Sequence, residues 1–254
     1  MQSVFPLGLS RPVSALIIGG KDGIGGAIAQ ALLAHQSTVA VSVTSRDSDW
    51  VGAGASDERC TRHVLDITKA EPMQALAGHL KDAQPGLNVI INCTGVLHNE
   101  NIDPERSWRH LDMDTMQKVF AVNTFGVALA VRYLLPLLPR HERSIFASLS
   151  ARVGSIGDNQ LGGWYSYRAS KAAQNMVIRT GAIEAKRSRP RLLCVTLHPG
   201  TVKTALSDPF TKRKPADQLF SSDQSGHHLI EVLSGLTAKD SGYHYAWDGQ
   251  RIPW

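Results

Sequence analysis

Short runs rich in Val, Ile and Leu alternate with longer helical stretches from one end of this sequence to the other. "VSALIIG" reads as a strand and "GIGGAIAQALLAHQ" as a helix; "TVAVSVTSR" and "RHVLDIT" read as strands, and "KAEPMQALAGHLKDA" as a helix. "LNVIINCTG" is a fourth strand, followed by a long helix over about 113–138. Then come strand "RSIFASLS", a helix opened by "GGWYSYRASKAA", strand "RLLCVTLHPG", helix "SDQSGHHLIEVLSGL" and a last short strand in "GYHYAW". Strands that alternate with helices build right-handed βαβ units, and such units give a parallel sheet covered on both faces. The expected fold is therefore a single Rossmann-like, doubly wound α/β domain over residues 1–254. That length buries one large core, and no internal repeat or linker divides it.

The remaining bulk properties narrow the function classes. No uninterrupted apolar run approaches the roughly 18 residues of a membrane span, since "FGVALAVRYLLPLLP" carries Arg132 and two prolines. The N-terminus lacks the basic-then-apolar order of a signal peptide. Cys60, Cys93 and Cys194 have neither metal-ligand spacing nor an even count, so no metal site or disulfide framework is expected, and a cytoplasmic location is. The net charge of +5 is mild. "AKRSRPR" at 185–191 reads as favourable positive charge at a helix end, and "KRK" at 212–214 lacks the interleaved aromatics of a nucleic-acid surface. No nucleic acid or membrane partner is expected.

In doubly wound sheets the ligand sits beyond the carboxyl ends of the strands. After the first strand, "GGKDGIGG" places Gly19, Gly23 and Gly25 in a strand-to-helix turn, where a pyrophosphate approaches backbone closely and rests on a helix N-terminus. The second strand ends in Arg46, where enzymes that use NAD usually carry an acidic residue. With Lys21 nearby, two cations favour a 2′-phosphate, so NADP(H) is expected ahead of NAD(H). Asp66 ends the third strand, either capping the next helix or accepting from an adenine amino group. Asn92 to Gly95, "NCTG", ends the fourth, with Cys93 read as a packed small residue.

Tyr167 and Lys171 are four residues apart and share one helix face, whereas Tyr165 points elsewhere and reads as packing or pocket wall. An ammonium beside a phenol stabilises the phenolate, which suits Tyr167 for acid/base work. In the long helix Met116, Phe120, Val127, Val131 and Leu134 form an apolar stripe with Asn123 inside it. A buried amide needs partners, and holding a water or a backbone carbonyl would supply them. Ser150 ends the strand ahead of the tyrosine helix, where a serine can polarise a carbonyl.

Taken in order, Gly19-x-x-x-Gly23-Ile24-Gly25, Asp66, "NCTG", Asn123, Ser150, Tyr167-x-x-x-Lys171 and "PGTVKT" resemble the short-chain dehydrogenase/reductase family over nearly the whole chain. "SARVGSIGDNQLGGWYSYRASKAA", "LHPGTVKTALSDPF" and the ending "YAWDGQRIPW" resemble its C-factor-like branch, which is also similar to sniffer-type carbonyl reductases. The resemblance implies hydride transfer between NADP(H) and a small carbonyl or alcohol. It further implies Tyr167 as acid/base, Ser150 polarising the carbonyl, Lys171 tuning Tyr167 and orienting the cofactor, and Asn123 anchoring a proton-relay water. Gly19, Lys21, Gly23, Ile24, Gly25, Arg46, Asp66, Asn92, Gly95, Pro199, Gly200, Val202 and Thr204 would hold the cofactor, a segment at 205–222 would cover the substrate, and a homo-oligomer is implied.

The sequence departs from the family pattern in three places. Ile18 replaces a threonine, Cys93 and Thr94 are nonstandard, and the serine is displaced: counting three back from Gly154 reaches Ala151, with Ser150 one position earlier and Ser155 and Ser148 as alternatives. The rival reading is a dinucleotide-binding signalling or scaffold protein with little turnover.

Overall fold

The computed structural model describes residues 6–211, 215 and 219–254. The "KRK" segment and part of the proposed covering segment at 205–222 lie outside them. Seven parallel strands and one antiparallel edge strand form a single sheet in the order β3-β2-β1-β4-β5-β6-β7-β8. These are Val13–Ile18 (β1), Thr38–Ser45 (β2), Cys60–Val64 (β3), Val89–Asn92 (β4), Ser144–Leu149 (β5), Leu192–His198 (β6), His244–Ala246 (β7) and Arg251–Ile252 (β8). The strand order reverses between β1 and β4, which is where a doubly wound sheet opens its ligand crevice.

The alternation of side chains along each strand sorts the core into two layers. Ala15 and Ile17, Val89 and Ile91, and Ala147 and Leu149 pack toward helices α1 (Gly23–Leu33) and α8 (Ser222–Gly235). Leu16 and Ile18, Ile90 and Phe146 face the other way. They meet α3 (Ala70–Ala83), α5 (Gly126–Leu134) and α6 (Tyr165–Ala185). Both layers are buried, which is why the central strands read as unbroken apolar runs.

Three elements differ from the sequence-based expectation. A short helix, α2 (Ser48–Gly52), follows β2 because Asp47 caps it through Trp50 N–H, and β8 turns back on β7. The long helix is not uniform: α4 (Met113–Phe120) passes into a π-turn at Ala121–Phe125 before α5. The extra residue rotates the buried face, so Val119, Asn123, Val127, Ala130 and Leu134 point inward while Met116, Phe120 and Val131 are only partly covered. The continuous helical stretch Met113–Leu137 is long and apolar enough to cross a membrane by length and composition alone, with a mean hydropathy of 1.5 over an 18-residue window, although Arg132 and Pro136 interrupt its apolar run as the sequence indicates. Here it is a core helix, with Val127, Ala130 and Leu134 against the sheet.

Candidate active site

The carboxyl ends of β1, β2, β4 and β5 surround the site. At the first, Gly19 (φ 78°) and Gly23 (φ 58°) take left-handed backbone that side chains rarely adopt. A Cβ on Gly25 would lie 2.3 Å from the Gly19 carbonyl oxygen, so the turn closes on itself only with glycine there. Ile18 offers the loop no hydroxyl; instead the Thr44 hydroxyl on the neighbouring strand accepts from Gly19 N–H at 3.1 Å. Ile24 packs on the core below the turn.

A cavity of about 810 Å³ runs along the ends of β1, β2, β3 and β4, lined among others by Gly19, Lys21, Arg46, Asp66 and Gly95. Lys21 and Arg46 both line it. Lys21, however, is already paired with Asp47 at 2.5 Å, a contact that raises the lysine pKa and lowers the aspartate pKa. Asp66 does not form the side-chain cap of α3. Partial burial pushes its pKa up, but its Oδ1 accepts from Thr68 N–H at 2.9 Å and from the Thr68 hydroxyl at 2.7 Å, and the net shift is downward.

Asn92 is fully buried and does not line the cavity. It donates to Ser148 Oγ at 2.9 Å and accepts from the Thr94 hydroxyl at 2.7 Å, so it braces the turn whose Thr94 and Gly95 do line the cavity. Pro199, Gly200, Val202 and Thr204 also stand outside the wall, which is continued by Ala205 and Leu206. Gly200 (φ 81°) lies under the Phe220 ring, Pro199 accepts from Ser225 Oγ, Val202 bridges to Phe220, and Thr204 faces Gly23.

Beyond Gly95 lie the groups with acid/base chemistry. A Cβ on Gly95 would come within 3.4 Å of Lys171 Nζ and 3.5 Å of Asn123 Oδ1, so the cavity wall touches both. Lys171 donates to Leu149 O at 2.9 Å and to Gln174 Oε1 at 2.8 Å. Its ammonium stands 5.9 Å from the centre of the Tyr167 ring. Burial pushes the Lys171 pKa down to about 7 and raises that of Tyr167 above its ordinary value. Among the described residues no hydrogen bond ties the Tyr167 hydroxyl. Tyr165 is 37% exposed and does not line the cavity.

Asn123, at the π-turn, exchanges two bonds of 2.8 Å with the Val96 backbone and donates to Ser170 Oγ at 3.1 Å. Its buried amide thus holds a backbone carbonyl, and π-turns recur at functional sites. Of the three serines, Ser148 is committed to Asn92 and Gln174, and Ser155 accepts from Asp158 N–H. Ser150 lies on the α6 side by strand alternation. Its hydroxyl is buried with no partner among the described residues.

Sequence reasoning missed several supports. Glu105, 3% exposed, reaches the start of α6 from the loop after β4. Its Oε2 accepts from Ser166 N–H at 3.1 Å, its Oε1 accepts from the Ser166 hydroxyl, and its backbone carbonyl takes Trp164 N–H at 2.6 Å. Gln174 could have been found three residues after Lys171 on the same face. Glu105, in an aperiodic polar loop, gave no signal.

The comparisons agree with this fold. The family model for short chain dehydrogenases matches residues 14–215. A 1-hydroxy-2-glutathionyl-2-methyl-3-butene dehydrogenase from Rhodococcus sp. (strain AD45) is 29% identical over 95% of this chain and 99% of its own. The C-signal of Myxococcus xanthus is 31% identical over 57% of this chain and 81% of its own. Among solved structures, NADPH-bound carbonyl reductase from chicken fatty liver is similar at a TM-score of 0.84 and 27% identity, over 96% of this chain and 95% of that one. Carbonyl reductase Sniffer of D. melanogaster shares the fold at a TM-score of 0.81 and 23% identity, over 96% and 100% of the two chains. With its glycine turn at the head of a doubly wound sheet, the chain belongs to the short-chain dehydrogenase/reductase family of oxidoreductases.

Proposed function

We propose that this protein is an NADP(H)-dependent reductase of small carbonyl compounds, with Tyr167 as the proton donor. The observation that carries the reading is the adjacency across Gly95. The cavity that starts at the glycine turn reaches Asn123 and Lys171, and Lys171 is on the helix that carries Tyr167.

The residues present fit a nicotinamide dinucleotide: the glycine turn leaves its backbone approachable, the cavity is large enough to hold an extended ligand, and Arg46 and Lys21 are cationic where a 2′-phosphate would lie. When bound, the cofactor supplies a hydride. The chain's own work is positional and protic. Tyr167, a phenol whose pKa burial raises above its ordinary value, holds its proton ready for the substrate oxygen. The Ser150 hydroxyl, otherwise without a partner, is free to donate to that oxygen. Lys171, fixed by Leu149 O and Gln174, keeps its positive end near the phenol ring and the Gly95 turn.

NADPH-bound and NADP-bound relatives at 27% and 26% identity support the choice of cofactor. A second reading, a dinucleotide-binding signalling protein with little turnover, is favoured by the similarity to the relative called C-signal. Rates of NADPH and NADH oxidation with simple aldehydes and diketones separate the readings. NADPH-preferring turnover, with the preference lost in Arg46→Ala, supports the reductase; binding of NADPH without turnover of any carbonyl supports the signalling protein.

A further inference from the structure

Trp164 is the N-cap of α6, three residues before Tyr167, and one of two non-glycine residues in left-handed backbone among those described (φ 51°). Such a conformation is strained in a bulky residue and persists where the surroundings impose it. Here Glu105 imposes it, taking Trp164 N–H on its carbonyl and Ser166 on its carboxylate. The strained backbone sends the indole over the acid/base residue: its ring lies edge-on to Tyr167 at 6.2 Å.

The same indole meets Phe210, on the short helix α7 (Asp208–Thr211), at 4.9 Å and 66°. His98 flanks Phe210 from the other side at 5.4 Å and 73°, its Nε2 donating to the Ala205 carbonyl at 3.1 Å. His98, Ala205 and Leu206 also line the cavity. Through His98 the cavity abuts an aromatic corner, in which Phe210 packs against Trp164 and Trp164 against Tyr167. A substrate ring that passes from the cavity into this corner toward Tyr167 would displace Phe210 from Trp164. The geometry selects for another flat ring, because edge-to-face contacts reward rings beyond the area they bury.

We propose that Trp164, Phe210 and His98 are the specificity-determining residues of the site, and that its substrates carry the carbonyl on a planar aromatic ring, which takes the place of Phe210 against Trp164. This deepens the reductase reading and rests on it for the site's occupancy by substrate. Its test is nonetheless a binding measurement, so that a catalytically silent protein still answers.

The probes are 2-naphthalenemethanol and its saturated, puckered counterpart decahydro-2-naphthalenemethanol, titrated calorimetrically into the NADPH complex, where an alcohol cannot react. The flat probe is expected to bind about five- to tenfold more tightly. In Trp164→Leu the two affinities should converge to within about twofold while NADPH affinity stays unchanged, and Phe210→Ala should bind the flat probe more tightly than wild type. Equal affinities in wild type, binding of neither probe, or a preference that survives Trp164→Leu would overturn the proposal. Failure of the wild-type protein to bind NADPH, read in the first titration, would instead overturn the reductase reading.

Discussion

A phenol already holds its proton at neutral pH, and burial raises the Tyr167 pKa further, so the proton is there to be given to a substrate oxygen. The neighbouring lysine is moved the opposite way, to about 7. That shift has a sign in stability. Between about 7 and the ordinary lysine value of 10.5 the unfolded chain binds the proton and the folded chain does not, so stability rises with pH across this window. The slope is at most about 1.4 kcal/mol per pH unit. Denaturant unfolding between pH 7.5 and 9 should show this rise in the wild-type protein and a flatter profile in Lys171→Met. The pair was legible in the sequence because spacing of four on a helix fixes a shared face. What spacing did not give was the ammonium's position over the ring face, which depends on Gln174 and the Leu149 carbonyl. Ser150 was ambiguous by counting alone; only its unpartnered, buried hydroxyl separates it from Ser148 and Ser155.

At the scale of elements, α6 and the glycine turn carry the site. The first turn of α6 has no acidic residue of its own and no side-chain cap from Trp164. Glu105 supplies both from a loop some sixty residues earlier. Glu105→Ala leaves the Ser166 N–H and hydroxyl buried without a partner and should cost about 1–3 kcal/mol of stability. It should also lower kcat while NADPH affinity is retained, which thermal unfolding and steady-state kinetics would read side by side. No sequence pattern announced this contact, because long-range caps leave no periodicity. The glycine turn, by contrast, was legible: Gly25→Ala places a Cβ 2.3 Å from the Gly19 carbonyl oxygen. The turn must open to admit it, at a cost of at least about 3 kcal/mol, with loss of NADPH binding. The π-turn at Asn123 was only half legible. The polar residue inside an apolar stripe marked the place, but the inserted residue that rotates the stripe was invisible.

For the whole molecule, the doubly wound sheet gathers the ends of β1, β2, β3 and β4 around one cavity, and Ala205 and Leu206, far along the chain, join its wall. Alternating strand and helix runs disclosed that arrangement. The aromatic corner of His98, Trp164 and Phe210 comes from three separate connections and could not be read from any one of them. Because the cavity exists only in the folded chain, NADPH at a hundred times its Kd should stabilise by about 2.7 kcal/mol, a rise in Tm of about 5–10 °C in a scanning calorimeter.

The central claim, proton transfer from Tyr167 at a nicotinamide site, is tested most directly by Tyr167→Phe. The measurement is the rate of NADPH oxidation with 1-phenyl-1,2-propanedione, a diketone carried on an aromatic ring, alongside NADPH affinity, in wild type and variant. The account predicts a fall in rate of about 100-fold or more, with NADPH affinity within about twofold of wild type. A variant that turns over the diketone at the wild-type rate would contradict it.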